Sequence, residues 1–270
     1  MPKPPSIGRV LIIAGSDSGG GAGIQADLKT VTCLGGYGMT AITALTAQNT
    51  LGVFGMHAVP ADFIAQQIEL CLSDIGADAI KTGMLHSAGV IMTVAAHLPD
   101  GVPLVVDPVM AAKGGSPLLA AEALDALKTL LLPRAAVMTP NLPEAELLLG
   151  REIGESQEEM LQAAEELLQF GSGAVLLKGG HGHGEVLTDV LLARGDKPLI
   201  LETKRVETRH THGTGCTFAS AIATGLAQGL GLVDAVRRAH GYVQAAIAAA
   251  PGLGQGHGPL GHFAAGKAAG

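Results

Sequence analysis

The chain is poor in the residues that several large function classes need. Of its 270 residues only 17 are lysine or arginine, against 24 aspartate or glutamate, for a net charge of -7. That excludes a broad basic footprint for nucleic acid or an anionic lipid surface and leaves a small molecule as the expected partner. Cysteine occurs at Cys33, Cys71 and Cys216 alone, with no C-x-x-C pair. Neither a disulfide framework nor a zinc ribbon is suggested, and reduced cytoplasmic thiols are expected. The opening MPKPPSIGRV has no apolar signal core, so secretion is not expected. The uncharged run 216–233 carries Gly, Ser, Thr and Gln and reads as a buried helix rather than a membrane span.

Two familiar nucleotide loops are also missing. GSDSGGGAGIQAD, residues 15–27, follows an apolar strand and opens a helix, yet no register of it gives G-x-G-x-x-G, and it holds no G-x-x-x-x-G-K-[ST]. It reads as a backbone-lined substrate pocket, with a plain turn as the alternative.

What is present is alternation. Short apolar runs at 10–14, 79–80, 104–106, 136–138 and 174–177 are interleaved with helix-period segments near 24–34, 63–75, 87–98, 117–132 and 157–170. A hairpin at 186–192 and 199–202 and two closing helices follow. The pattern predicts one α/β domain over 1–263, mostly parallel with a late antiparallel hairpin, and a loose tail over 264–270. Cys33 and Cys71 fall on apolar helix faces and read as core. Polar and glycine residues gather at the strand ends: Gly15-Ser16-Asp17, residues 81–84, Asp107-Pro108, residues 139–141 and 178–180. This is the edge at which open parallel sheets bind ligands.

In HTHGTGCT, residues 210–217, the glycines permit close backbone approach and the following helix directs free amides at an anion. The motif reads as an anion hole. At such a helix start a thiol pKa can fall toward neutrality, which makes Cys216 a candidate base or nucleophile. A competing zinc reading would gather His210, His212 and Cys216 with a fourth ligand. His181, His183, His257 and His262 sit in glycine-rich loops and read as solvated or loop-anchoring. Lys178 is the candidate cation for a γ-phosphate, and Asp107 and Glu144, assisted by Asn141, are candidates to hold Mg²⁺. Glu144 reads equally well as a first-turn helix charge.

A family resemblance joins these pieces. AGSDSGGGAGIQADLKT, TALTAQNT, KTGMLHS, VVDPVMAAKGG, TPNLPEAELLLG, LLKGGH, HTHGTGCTFASAIA and GHGPL occur in that order along nearly the whole chain. Together they resemble the bacterial hydroxymethylpyrimidine and phosphomethylpyrimidine kinases of thiamine biosynthesis, a branch of the ribokinase-like superfamily. The resemblance implies a three-layer α/β/α sandwich, a cytoplasmic homodimer, and an enzyme that uses ATP and Mg²⁺. Its reaction would phosphorylate 4-amino-5-hydroxymethyl-2-methylpyrimidine and then the monophosphate. It implies that Gly213, Thr214 and Gly215 form the anion hole and that Cys216 activates the substrate hydroxyl. Gln48 would bond the aminopyrimidine, with Gly15, Asp27, Met84 and Val109 around it. Lys178 and Glu144 would serve the nucleotide phosphates and Mg²⁺, and Thr188 and the hairpin would lie near the nucleotide.

Two departures, His210 for the family's asparagine and Ser116 for a common aspartate, touch loop bonding and nucleotide affinity rather than a phosphate or metal group, and a third, DSGGGAG for DPSGGAG, is a variation within the family. A pyridoxal-type kinase is the nearest alternative, because its substrate also carries a hydroxymethyl group on a six-membered nitrogen ring. A dinucleotide-binding oxidoreductase or a non-catalytic binder would use the glycine turns without transferring phosphate.

Overall fold

The first strand shows why both sides of the sheet are covered. In β1 (Arg9–Asp17) Val10, Ile12 and Ala14 face one way and Leu11 and Ile13 the other, and all are buried. A strand buried on both faces needs helices above and below. The structure, a computed structural model, describes residues 7–111, 118–120, 122–180 and 184–268. Ser116, His181 and His183 lie outside the described residues.

β1 pairs in parallel with β2 (Tyr37–Asn49) on one side and β4 (Ala79–Thr82) on the other. The parallel series continues through β5 (Leu104–Val106), β6 (Val137–Met138) and β7 (Ala174–Lys178). Antiparallel strands close both edges: β3 (Gly52–Ala58) on β2, and β8 (Val186–Ala193) then β9 (Leu199–Lys204) beyond β7. The nine-stranded order is β3-β2-β1-β4-β5-β6-β7-β8-β9.

One face carries α1 (Gly23–Cys33), α7 (Thr214–Ala227), α8 (Leu232–Ala248) and α9 (His262–Ala268), packed on Val10, Ile12, Val105, Val137 and Leu176. The other carries α2 (Ala61–Asp74), α3 (Ala88–His97), α4 (from Ala123), α5 (Leu142–Leu149) and α6 (Gln157–Leu168), packed on Leu11, Ile13, Val106, Met138 and Leu177. The expected sandwich of helices around a mostly parallel sheet is what forms.

Three local expectations differ. The sequence reading has no strands between 35 and 60, where β2 and β3 lie; β2 sets Met39, Ile42 and Leu45 singly among Thr and Ala, and β3 is largely exposed, so neither shows an apolar run. The helix expected over 117–132 is helical from Ala123, passes into a π-turn at Leu127–Leu131 and ends in a 3-10 turn at Leu132–Arg134, where Pro133 cannot continue an α-helical bond ladder. The stretch expected to be loose from 264 is helical to Ala268, and Ala265 is buried against the α1 and α8 layer.

Candidate active site

β1 runs on past its apolar segment to Asp17, with a register shift between Ala14 and Ser16. Such bulges re-aim side chains beside sites. The Asp17 carboxylate turns back over its own loop: Oδ1 accepts from Gly19 N at 2.7 Å, and Oδ2 from Gly21 N at 3.0 Å and Ala22 N at 2.8 Å. Oδ2 also lies 2.9 Å from His212 Nε2. Burial opposes ionisation here, but the bonds from His212, Ala22 and Gly19 outweigh it and hold the Asp17 carboxyl below its ordinary value. A Cβ on Gly21 would run into the His212 ring, and one on Gly213 into the Gly21 carbonyl. The two glycine-rich motifs are thus glycine-rich partly because they lie against each other.

α7 begins at this junction. Gly213, its N-cap, has φ +84°, a left-handed conformation that favours glycine. Thr214 N–H bonds the Thr211 carbonyl and Thr217 N–H bonds Gly213. Among the described residues the N–H groups of Gly215 and Cys216 have no backbone acceptor, and both residues line a cavity of about 720 Å³. Beside them Cys216 is half-buried, and loss of surrounding water pushes its thiol up to about 12, although Lys81 and the Gly23 N–H pull it down. Removal from water thus outweighs the helix start, and the thiol is not drawn toward neutrality.

Against this helix start, β7, α5 and the residue after β5 bring three charges together: a Cβ on Gly215 would lie 3.3 Å from Lys178 Nζ and 3.7 Å from Asp107 Oδ2. Lys178 Nζ lies 3.2 Å from Asp107 Oδ1, which also accepts from Thr139 Oγ1 at 3.1 Å. Burial disfavours the charge on Lys178, but Asp107 and Glu144 more than restore it, and its pKa is raised. Asn141 and Glu144 form a reciprocal cap on α5, with Asn141 N to Glu144 Oε2 at 2.8 Å and Glu144 N to Asn141 Oδ1 at 2.9 Å. Glu144 is a first-turn helix charge and a cavity residue at once. Burial, helped by the neighbouring Asp107 charge and opposed by Lys178, raises its carboxyl to about 7.

Gly15, Gln48, Met84, Val109, Asn141, Lys178 and Gly213 to Cys216 all line this cavity, as do Asp107 and Glu144. Two expected residues do not. Asp27 is fully buried behind the wall, with both oxygens on Lys81 Nζ at 3.0 and 2.9 Å and one on Ser220 Oγ at 2.7 Å. It holds Lys81, which does reach the cavity, and is not itself placed to touch a ligand. Thr188 is on β8 between Leu187 and Asp189, and strand alternation puts those two on the cavity side instead. Lys81, Asp17, Thr46 and Asp189, to which the sequence reading gives no site role, also line the cavity, as does His212, which that reading offers only to zinc. Lys81 and Asp17 had the signal of standing at a strand end.

His210 does not join His212 and Cys216. It packs against Gly258, and among the described residues its buried Nδ1 has no hydrogen-bond partner. Among the described residues no group of three or more His, Cys, Asp or Glu side chains is placed to hold a metal ion. No helix there is long and apolar enough to cross a membrane.

A helix start with free amides thus lies beside a lysine and two carboxylates in one cavity, and the chain that builds it is similar to known proteins along nearly its whole length. A family model described as phosphomethylpyrimidine kinase matches residues 17–261. The thiamine biosynthesis bifunctional protein ThiED of Geobacter sulfurreducens is 53% identical over 96% of this chain, which spans only 53% of that relative's length. The hydroxymethylpyrimidine/phosphomethylpyrimidine kinase of Rhizobium meliloti is 50% identical, covering 94% of this chain and 96% of its own. An ADP complex of Bacillus subtilis pyridoxal kinase superposes with a TM-score of 0.88 at 38% identity, covering 96% of this chain and 98% of that one. The continuous match from the Asp17 loop to the helix that begins beyond Leu260 makes this chain a member of the phosphomethylpyrimidine kinase family.

Proposed function

We propose that the chain is an ATP-dependent kinase that phosphorylates 4-amino-5-hydroxymethyl-2-methylpyrimidine and then its monophosphate. The observation that carries the reading is one cavity with two chemically different ends. Gly15, Gln48, Met84 and Val109 make a mostly apolar slot with one amide, suited to a flat heterocycle. Lys178, Asp107, Glu144 and the start of α7 make a charged end suited to a polyphosphate.

The charged end fits Mg²⁺ and ATP. Burial above all, with the neighbouring Asp107 charge, raises the Glu144 carboxyl to about 7, and a divalent cation beside the two carboxylates would favour the charged form. Bound Mg-ATP would supply the phosphoryl group and offset its charge. Lys178 and Asn141 would hold the phosphates, with Glu144 and Asp107 holding the cation directly or through water. The backbone of β8, through Leu187 and Asp189, would take the place expected for Thr188. The amides of Gly215 and Cys216, with Gly213 and Thr214 shaping the turn, would bind the oxygens of the transferring group. Donors fixed in advance of charge development are the largest lever such a site has. Phosphoryl transfer passes through a loose transition state and asks little covalent chemistry of the protein. A protonated Cys216 can therefore orient the substrate hydroxyl, and its thiolate, when formed, can take the proton.

The Bacillus subtilis pyridoxal kinase supports a second reading, pyridoxal phosphorylation in the same cavity. Incubation with Mg-ATP and a panel of pyrimidine, pyridoxine and sugar alcohols, with products weighed by mass spectrometry, separates the two. Phosphate on the aminopyrimidine supports the first reading; phosphate on pyridoxine or pyridoxal alone overturns it. Exposed apolar residues on β2, β3 and α2, among them Leu45, Phe54, Met56 and Phe63, support a homodimer, which light scattering tests. The cytoplasm is the proposed location.

A further inference from the structure

His212 stands between two partners that make incompatible demands on it. Its Nε2 is 2.9 Å from Asp17 Oδ2 and 2.9 Å from the end of the Gln48 amide labelled Nε2. The other end of that amide lies 3.2 Å from Thr46 Oγ1, whose only proton goes to the Ser16 carbonyl at 2.9 Å. The two ends of an amide have the same shape, so the hydrogen inventory decides which is which.

Asp17 is an acceptor, because three backbone N–H groups already converge on its ionised carboxylate. His212 must therefore carry its proton on Nε2, since a bare Nε2 would set lone pair against lone pair. With Nε2–H fixed, an amide nitrogen at 2.9 Å would set donor against donor. With the carbonyl oxygen there instead, Nε2–H is shared by two acceptors. The amide nitrogen then donates to Thr46 Oγ1, which is free to accept once its own proton is on Ser16. This arrangement has no like-to-like contact.

We propose that Asp17 and His212, with Thr46 opposite, hold the Gln48 amide in one of its two orientations, carbonyl toward His212 and nitrogen toward Thr46. Both flanks of the amide are thereby occupied, and its outer edge, one N–H beside one lone pair, is left for the cavity. The order of donor and acceptor on that edge decides which way round a ring with an amino donor next to a ring-nitrogen acceptor can enter. In an aminopyrimidine alcohol the hydroxymethyl group sits beside the amino group, so turning the ring over moves the hydroxyl from one side of the edge to the other. His212 is thus a positioning residue for substrate orientation. The inference rests on the kinase reading above.

Two measurements test it. In the intact protein, ¹⁵N spectra of the imidazoles should show His212 protonated at Nε2; a neutral ring protonated only at Nδ1 overturns the proposal, whatever the protein phosphorylates. Kinetics then compare the aminopyrimidine alcohol with one analogue lacking the amino group and one with the neighbouring ring nitrogen replaced by C–H. Wild type should lose on the order of tenfold or more in kcat/KM with each analogue. His212→Phe, which keeps a ring beside Gly21 but no N–H, should lose most of that discrimination while KM for Mg-ATP and the melting temperature hold. Full discrimination in a folded His212→Phe protein overturns the positioning role and leaves the kinase reading intact. A wild type that phosphorylates no panel alcohol overturns both.

Discussion

Asp27 separates a ligand role from a structural one, and the distinction can be measured. Its carboxylate and Lys81 Nζ are both fully buried, joined by two contacts of 3.0 and 2.9 Å, with Ser220 Oγ on the same carboxylate. Burial would drive the lysine neutral, but the Asp27 charge outweighs it and its pKa is raised. Removing one member leaves the other as an uncompensated buried charge, a loss of about 3–5 kcal/mol. For a chain of this length that lowers Tm by roughly 10 °C. Asp27→Asn keeps an oxygen for Ser220 and should show the drop, as should Lys81→Met. The double variant removes both charges and should melt above the sum of the two losses, with a coupling of about 1–3 kcal/mol. Urea and thermal melting give the stabilities, and initial rates below the melting range give KM for the pyrimidine alcohol. Because Asp27 does not line the cavity, that KM should stay near wild type in Asp27→Asn. Wild-type melting together with a raised KM would refute the reasoning and return Asp27 to the substrate contacts.

Other expectations follow from the same geometry. With the thiol raised to about 12, the thiolate fraction grows about tenfold per pH unit through the neutral range; if it takes the hydroxyl proton, kcat should climb with pH in wild type and lie flat in Cys216→Ala, and a flat wild type would leave Cys216 an orienting role alone. Glu144, raised to about 7, is protonated below that pH, so Mg²⁺-dependent nucleotide binding should strengthen as pH rises through 7 and lose this dependence in Glu144→Gln, read by titrating Mg²⁺ against a fluorescent nucleotide. His262, pushed by burial down to about 4 from an ordinary 6.5, is neutral in the fold. The unfolded chain takes up its proton first as the pH falls, so stability should decline between 6.5 and 4, by about 3 kcal/mol in total. His262→Gln should lack that share of the acid limb in urea denaturation across pH.

The fold was legible where apolar residues repeat at a clear period. β1, β5, β7 and the 186–202 hairpin declare themselves, and so does the start of α7, because Gly213 and Gly215 stand just ahead of a helix-compatible run. β2 was not, since most of its buried positions, Ala41, Thr43, Ala44 and Thr46, are small or polar residues whose burial is set by what packs against them. α9 was missed for a related reason: alanine and glycine have little apolar surface, yet a Cβ on Gly266 would strike Cys33, so smallness is what lets that helix dock. Within the site, residues at strand ends could be read as a set, but which of them face the cavity depends on partners far away in sequence. Asp27 turns inward because Lys81 and Ser220 wait there. Asp17 and His212, 195 positions apart, carry no mutual signal in one sequence.

The order in which the layers are laid down has a bearing on how the chain is made. The strands from β4 to β9 join the sheet in the order they are synthesised, and the helices of one face, α2 to α6, arrive between them. The opposite face receives α1 early and then nothing until α7, so Val105, Val137, Ala174 and Leu176 have no cover until residues beyond 213 have emerged. If the sheet forms as its strands emerge, a nascent chain carries it with one bare apolar side, the condition in which chains aggregate or recruit chaperones. The same late segment brings His212 to Asp17 and Ser220 to Asp27. Truncation before α7 should thus yield a sticky, half-covered sheet with no working site, rather than a smaller enzyme.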